Sequence, residues 1–239
     1  MNHTGNNNYI EAKIVGSTHI RLQRIDNTIS WDKPVHALNW FDSRQLQIYN
    51  FYNLLAGRSV KQVGGAPLFK GRLIARVHGT DKDERQVLLV VKYPSPGHFK
   101  DMLSNTYFKS VSIIRSLAVK EFTFCLSHSM GDENIPGKRA RGENYAVHHF
   151  CGDMNVLNNI RDALQKNSLE IAFSSLKTHE LYKIAGNKTP ERVPAIMDGI
   201  VLFKCENENT LNEIVKSEPY QQCLQQSQSS YVGLYQRIL

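Results

Sequence analysis

The two side chains best suited to chemistry are Tyr107 and Arg115, which lie eight residues apart in a stretch of helical character. That spacing places them on adjacent faces of one helix. We predict that the Arg115 guanidinium binds an anionic group of a ligand while the Tyr107 hydroxyl donates a hydrogen bond to it. The competing interpretation makes Tyr107 a core residue between helix and sheet, and Arg115 the surface partner of an ion pair.

Histidines form a second group of candidates. His36, Leu38 and Trp40 alternate along the first predicted strand, so their side chains share one face. A histidine there could act as a general base or bind a metal. No further ligand occurs at recognisable spacing, so a histidine satisfied by a neighbour is the simpler interpretation. His148 and His149 point to opposite faces of a regular strand and cannot chelate one metal. We predict no metal site.

Other catalytic motifs are missing from the sequence. Pro94 ends a strand and Ser95 can cap the next helix, so local geometry accounts for the Tyr-Pro-Ser motif there. No G-x-S-x-G, glycine-rich phosphate loop or H-E-x-x-H occurs, which leaves a serine hydrolase, a P-loop enzyme and a zinc protease unsupported. The four cysteines form no C-x-x-C pair, and no secretory signal is visible. We therefore expect reduced thiols and a cytoplasmic protein.

Composition and charge narrow the class of protein. Of the 239 residues, 41% are hydrophobic and 21% are charged, as in globular proteins. No apolar run approaches the roughly 20 residues that span a bilayer. The net charge of +7 arises in residues 34–126, which hold 13 basic and 6 acidic side chains. Acidic residues interrupt the basic run, which favours a solvated strand pair over a surface for nucleic acid.

The elements that must position these side chains occur in the same order twice. Hydrophobic periodicity and turn residues predict β-α-β-β-α-β over residues 35–126, with a first helix that Ser43 caps and Gly57 ends. After a segment rich in turn residues and charges, the same order returns over 145–239. The second helices of the two units can be aligned so that Tyr107 matches Tyr220.

We therefore predict an α+β fold. A four-stranded antiparallel sheet with both helices on one face leaves its other face uncovered, and two such sheets can bury those faces against each other. The expected architecture is two ferredoxin-like repeats whose sheets form a dimeric α/β barrel within one chain. The predicted segments are an N-terminal extension (1–33), the first ferredoxin-like repeat (34–126), a linker (127–144) and the second ferredoxin-like repeat (145–239).

Motifs of the first repeat resemble a known family. These motifs are Gly64-Gly65, Val90 through Ser95, Phe99, Ser104, Tyr107 and Arg115. They are similar to an uncharacterised branch of the dimeric α/β-barrel superfamily, which shows a Gly-Gly turn, an aromatic-Pro-Ser strand end and a helix with Ser-x-x-Tyr and a later arginine. That superfamily includes cofactor-free monooxygenases, muconolactone isomerases, haem-binding chlorite dismutase relatives and stress-responsive barrels. The resemblance implies a ferredoxin-like fold, and we predict that any catalysis uses no cofactor.

The sequence departs from the family pattern at three points. The short acidic-Gly motif expected between the second and third strands is missing from residues 79–86. In the second repeat, Phe203-Lys-Cys replaces Tyr-Pro-Ser, and Gln228 occupies the position that matches Arg115. These departures confine any site to the first repeat, or else indicate that catalysis has been lost.

Three functions compete. The first is a barrel that binds a small organic ligand, anionic or neutral, with cofactor-free oxygenase or isomerase activity as its chemistry. Its ligand-binding residues would be His36, Trp40, Phe41, Tyr93, Tyr107 and Arg115. The second is RNA binding, since RNA-recognition modules share the element order, but residues 86–93 hold a single aromatic where stacking aromatics are needed. The third is a non-catalytic interaction protein. Beyond the pseudo-dimer within one chain, self-association stays open.

Overall fold

The computed structural model describes residues 30–135, 141–177 and 198–239, together with three short strands. Most of the predicted N-terminal extension, and residues 136–140 of the predicted linker, lie outside the described residues. None of the helices in the described part of the chain has the length and apolarity needed to cross a membrane.

The secondary structure consists of eleven described strands and six described helices. The strands are β1 (Glu11–Ala12), β2 (Ile20–Arg21), β3 (Val35–Ser43), β4 (Ala66–His78), β5 (Val87–Tyr93), β6 (Val119–Glu133), β7 (Asn144–Cys151), β8 (Ile171–Lys177), β9 (Tyr182–Ala185), β10 (Gly199–Lys204) and β11 (Ser229–Arg237). The helices are α1 (Leu46–Gln62), α2 (Pro96–Ser104), α3 (Thr106–Ala118), α4 (Met154–Lys166), α5 (Glu208–Lys216) and α6 (Glu218–Gln226).

Eight antiparallel strands close a barrel. Their order is β3-β5-β4-β11-β7-β10-β8-β6, and β6 pairs back with β3. The strands of residues 35–133 neighbour one another as β6-β3-β5-β4, and those of residues 144–237 as β11-β7-β10-β8. Each half therefore places its own strands in the order fourth, first, third, second. The β4–β11 and β6–β8 pairings join the two halves.

Strand alternation divides the core into three layers. On β3, Leu38 and Trp40 face the barrel interior, whereas Ala37 and Phe41 face the helices. Helices α1–α3 cover the outside of the first half, and α4–α6 cover the outside of the second. The interior layer is closed to solvent by aliphatic and aromatic side chains from both halves, among them Phe69, Leu88, Val90, Val147, Phe173, Ile200, Leu202, Tyr231 and Tyr235.

Polar caps define where the helices begin. The Ser95 hydroxyl accepts a hydrogen bond from the backbone N–H of His98, which confirms the predicted cap of α2. Asn105 caps α3 by accepting from the N–H of Phe108 at 3.1 Å. These two caps separate α2 from α3 and set the rotational phase of each helix, which decides the side chains that face the sheet.

The first helix differs from its prediction at both ends. It begins at Leu46 after Gln45, because Ser43 is still part of β3. It also continues through Gly57 to Gln62, so Gly57 does not end it. A helix-ending glycine takes a positive φ, and here that residue is Gly64, with φ of 71°.

The fourth strand of the first half is longer than predicted. Residues 127–133 were expected to belong to a linker, yet β6 continues to Glu133. This part of β6 pairs with β8, for example Ser127 with Lys177 and Glu133 with Phe173. Residues of this type are usually found in loops. Here they extend β6, because β8 of the other half supplies hydrogen-bond partners for their backbone groups.

Candidate functional site

A cavity of about 530 Å³ lies in the first half, between the outer face of the sheet and helices α1–α3. Its size falls within the range of small-molecule sites. Its walls are mostly apolar and aromatic. The lining includes Ala37, Leu89, Val91, Tyr93, Phe99, Met102, Leu103, Phe108, Phe122 and Phe124, with Tyr49, Tyr52, Asn39, Asn50, Asn53, Lys70, Arg72, Arg115 and Arg141 as the polar and charged contributors.

Lys70 is the most unusual of these side chains. On β4, Phe69 faces the barrel interior and Lys70 therefore faces the cavity, where it is only 6% exposed. Its Nζ donates a hydrogen bond to Asn50 Oδ1 at 2.8 Å and lies 5.1 Å from the centre of the Tyr49 ring. Burial lowers the pKa of the Lys70 ammonium to about 8. Among the described residues, no carboxylate forms an ion pair with it.

Arg115 supplies a second cation to the same cavity. It lies in the last turn of α3, half-buried, with its guanidinium carbon 4.9 Å from the centre of the Phe122 ring. Burial raises the pKa of the Tyr49 and Tyr52 phenols, and the positive charge of Arg115 partly opposes this rise at both. No acidic ion-pair partner of Arg115 exists in the part of the chain that the structure describes.

The charged side chains that line the cavity are therefore all basic, and Leu239, the last residue of the sequence, lies in the same lining. Lys70, Arg72, Arg115 and Arg141 line the cavity, and no aspartate or glutamate among the described residues does. A buried cation without an opposite charge is costly, and an anionic ligand would supply that charge. The apolar walls suit a hydrocarbon or aromatic body. This arrangement can hold a small organic anion.

Two of the six predicted site residues line this cavity, namely Tyr93 and Arg115. The Tyr93 hydroxyl donates to Met102 Sδ at 3.2 Å, and its ring packs against Phe99. Phe41 lies beside the cavity, since it is fully buried with its ring centre 4.3 Å from that of Tyr49, but it is not part of the lining.

Tyr107 does not join Arg115 in the cavity. Its side chain is 40% exposed, and its hydroxyl lies 3.5 Å from the carbonyl oxygen of Leu55. Eight residues of α-helix leave about 80° between two side chains, which is enough to turn one toward the solvent. The neighbouring residue Phe108 faces the cavity instead. Tyr107 and Arg115 were predicted to contact one ligand together, but only Arg115 lines the cavity.

His36 and Trp40 lie on the opposite side of the sheet, inside the barrel. The indole of Trp40 stacks on His149 with ring centres 3.8 Å apart, and its Nε1 donates to the Tyr235 hydroxyl at 3.0 Å. His36 Nε2 lies 3.3 Å from Glu133 Oε2. The first strand thus separates these two residues from the cavity, as the alternation of its side chains requires.

The histidines of β7 do not offer a metal or haem site. The two rings of His148 and His149 are buried, and desolvation lowers the pKa of each to about 3. His148 is hydrogen bonded through Nδ1 to Tyr220 and through Nε2 to Ser230. His149 is stacked on Trp40. No described histidine lines the cavity, and no group of three or more His, Cys, Asp or Glu side chains that could hold a metal ion occurs among the described residues.

The helix caps align the two halves in a register that differs from the predicted one. The caps Ser95 and Asn207, which begin α2 and α5, are 112 residues apart, and so are Asn105 and Ser217, which begin α3 and α6. In this register Tyr220 matches Phe108 rather than Tyr107. Arg115 likewise matches Ser227 rather than Gln228. The alignment of the two Ser-x-x-Tyr-like segments was therefore wrong by one residue.

Sequence reasoning missed Lys70, Tyr49 and Tyr52. A signal for Lys70 is present in the sequence, because residues 68–77 have the character of a strand and alternation there puts Lys70 on the face opposite Phe69. Which of those two faces would be covered by helices could not be inferred from the strand alone. Tyr49 and Tyr52 lie on the predicted first helix, and both belong to the buried face of α1 that lines the cavity.

Known proteins resemble this chain in fold. No protein-family model and no curated protein sequence matches it. A candidate monooxygenase from Fusobacterium nucleatum is 10% identical, with a TM-score of 0.51, over 88% of this chain and 94% of that one. A mutant chlorite dismutase from Candidatus Nitrospira defluvii, in complex with cyanide, is also 10% identical with a TM-score of 0.51, over 88% and 92% of the two chains.

The fold is a ferredoxin-like α/β barrel. At these identities the similarity shows the fold alone, because one fold carries many unrelated activities. A protein of unknown function from Rhodopseudomonas palustris is 19% identical over 40% of this chain and 81% of its own length, with a TM-score of 0.38.

Proposed function

We propose that the protein binds a small organic anion with an apolar or aromatic body in the cavity of its first half. The observation that carries this proposal is the pairing of apolar walls with Lys70 and Arg115, two cations for which the described residues provide no carboxylate. The ligand's anionic group would contact Arg115, and its body would lie against Tyr93 and the phenylalanines. Of the predicted ligand-binding residues, Tyr93 and Arg115 remain in the proposed site.

The proposed chemistry, if the protein is an enzyme, is a cofactor-free oxygenase or isomerase reaction. Such reactions begin when a base removes a proton from the substrate, and they need positive charge to hold the resulting anion. Lys70 is the proposed base, because its amine is partly neutral near pH 8. Arg115 is the proposed stabilising charge. The similarity in fold to a candidate monooxygenase is compatible with an oxygenase reaction.

Binding of matched ligands tests the proposal. Calorimetry would compare 4-methylbenzoate with 4-methylbenzyl alcohol, which has the same shape without the charge. We expect the wild type to prefer the carboxylate, and Arg115→Gln to weaken carboxylate binding about tenfold, or about 1.4 kcal/mol. Arg58→Gln is the control, because Arg58 is an exposed arginine of α1 outside the cavity. Equal affinity for both compounds, or none, would favour the non-catalytic interaction protein.

We also propose that the chain is a tandem duplication of one ferredoxin-like unit, with the segments predicted above except that residues 127–133 belong to the first unit. The support is the shared strand order of the halves and the constant spacing of 112 residues between matching helix caps. The charged residue Arg115 has Ser227 as its counterpart, so the proposed site belongs to one unit only. The four cysteines are buried and form no disulfide, which is compatible with the reducing cytoplasm proposed as its location.

A further inference from the structure

We propose that Lys70 forms a covalent imine with the aldehyde or ketone group of an organic acid bound in the cavity. This inference rests on the proposed function, and it specifies the ligand as an oxo acid. The carboxylate would contact Arg115, and the carbonyl carbon would be presented to the Lys70 amine. The following observations on the environment of Nζ carry it.

The first observation is the position of the amine. Lys70 is the only lysine among the described residues that lines the cavity, and its Nζ is held by one neutral hydrogen-bond partner, Asn50 Oδ1, at 2.8 Å. Beside it lies the ring of Tyr49. A lysine that forms an ion pair keeps its proton and is not a nucleophile, whereas one held by a neutral amide in an apolar wall can be.

The second observation is the state of the amine in solution. Burial lowers the pKa of Lys70 to about 8. At pH 7 about one tenth of Lys70 is then the neutral amine, against less than about a thousandth of an ordinary exposed lysine. The position of Lys70 in the cavity and its neutral fraction both favour attack on a bound carbonyl group, since the neutral amine is the reactive form.

The third observation is the position of Arg115 relative to Lys70. Both residues line one cavity of about 530 Å³, and the ring of Tyr49, 5.1 Å from Lys70 Nζ, lines it as well. One small ligand can therefore place an anion near Arg115 and a second functional group near Lys70. A carbonyl is the group that a neutral primary amine captures covalently.

The reaction needs no oxidant or reductant. The nitrogen lone pair of Lys70 attacks the carbonyl carbon, the C–N bond forms, and the π electrons move to the oxygen. A proton passes from nitrogen to oxygen to give a carbinolamine. Loss of that oxygen as water then forms the C=N bond, so amine and carbonyl yield imine and water. Burial disfavours the charged form of Lys70 and therefore favours the neutral amine, which is the form that attacks the carbonyl carbon.

The experiment traps the imine on the full-length chain. The protein is incubated with 4-formylbenzoate, reduced with borohydride, and mapped by peptide mass spectrometry. We expect Lys70 to carry the label at an initial rate at least about tenfold above that of Lys61, an exposed lysine of α1, because its neutral fraction is larger. Labelling of Lys70 should rise between pH 7 and 8.5 and should be slowed by excess 4-methylbenzoate.

Two variants separate charge from amine chemistry. Lys70→Arg keeps the positive charge and removes the amine, so trapping should be lost while binding of 4-methylbenzoate is retained. Lys61→Gln should leave trapping at the wild-type level. If Lys70→Arg fails to fold, the wild-type peptide map still decides the question, since it needs no variant.

The outcomes are distinguishable. If 4-methylbenzoate binds but the label spreads over exposed lysines without preference for Lys70, the imine is overturned and the proposed anion site stands. If neither compound binds, the proposed function and this inference fail together. Preferential labelling of Lys70 that 4-methylbenzoate suppresses supports both.

Discussion

At the scale of single residues, the most unusual group is the buried ammonium of Lys70, which has no ion-pair partner among the described residues. Lys70 is almost fully buried, its amine contacts a neutral amide, and the nearest aromatic ring belongs to Tyr49. Buried lysines are rare unless they are paired, and such groups are enriched at functional sites. A lysine whose only role was structural would be expected at an ion pair, as Lys92 is with Glu133.

The lowered pKa of Lys70 predicts how stability changes with pH. The unfolded chain binds a proton at Lys70 up to about pH 10.5, whereas the folded state releases it at about 8. Between these values the unfolded state holds more protons, so the free energy of unfolding rises with pH. We expect Lys70 to contribute an increase of about 2 kcal/mol between about pH 7.5 and 9.5. Lys70→Met should remove that increase.

Urea unfolding of the wild type, Lys70→Met and Lys61→Met at these two pH values checks the prediction. Lys61 is exposed, so its variant should follow the wild type. A parallel pH dependence of Lys70→Met and wild type would show that the amine is solvated like any surface lysine. In that case the argument for a reactive Lys70 would also fail.

At the scale of elements, a few positions decide what each helix and strand presents. The Asn105 cap starts α3 in a phase that turns Phe108 and Arg115 to the cavity and leaves Tyr107 at the surface. On β10, Gly199 pairs with Phe150 of β7, and the phenylalanine ring lies directly over the glycine. A glycine inside a strand commonly marks such a close approach.

Two glycine substitutions should therefore have opposite effects. A Cβ at Gly199 would collide with the Phe150 ring, so Gly199→Ala should lower the free energy of unfolding by about 2 kcal/mol. Gly57 lies inside α1 with nothing near its Cβ position, so Gly57→Ala should raise it by about 0.5–1 kcal/mol. Denaturant midpoints of the two variants measure both changes. A stable Gly199→Ala protein would mean that β7 and β10 separate at this point.

At the scale of the whole molecule, the barrel joins two halves through their interior faces. The interior layer is built from both, and the β4–β11 and β6–β8 pairings close it on two sides. Aliphatic side chains such as Leu88 and Val90 lie inside this layer, on the sheet face that an RNA-recognition module would need for stacking bases. The helix-covered outer face is then the place left for a ligand, and the cavity lies there.

Cutting the chain between the halves should therefore leave them associated. A protease site inserted between Arg141 and Gly142, which are both exposed and lie in a turn, would allow cleavage of the folded protein. We expect both fragments to elute together in size-exclusion chromatography at the volume of the uncut chain, because separation would expose the apolar interior layer and the four strand edges of β4, β11, β6 and β8. Elution of two separate fragments under native conditions would show that the interface between the halves is weak.

The sequence by itself determined the type and order of most elements of residues 35–239, because each depends on local periodicity, caps and turn residues, although the predicted β-α-β-β-α-β order of the second unit omits β9. It determined that Leu38 and Trp40 share one face of β3 and that Ser95 begins α2, since alternation and capping act within a few residues. It also predicted Arg115 as a ligand-binding residue, and this residue lines the cavity, whereas its predicted partner Tyr107 lies at the surface and the neighbouring Phe108 faces the cavity.

Only the tertiary structure decided which sheet faces meet and which remain to be covered by helices. That choice places Trp40 inside the barrel against His149, and Lys70 outside it in the cavity of the first half. The same choice extends β6 to Glu133, because its partner β8 comes from the other half. Local sequence does not encode such contacts, since the burial of Lys70 depends on residues of α1 and β4 that meet only when the sheet and helices pack together.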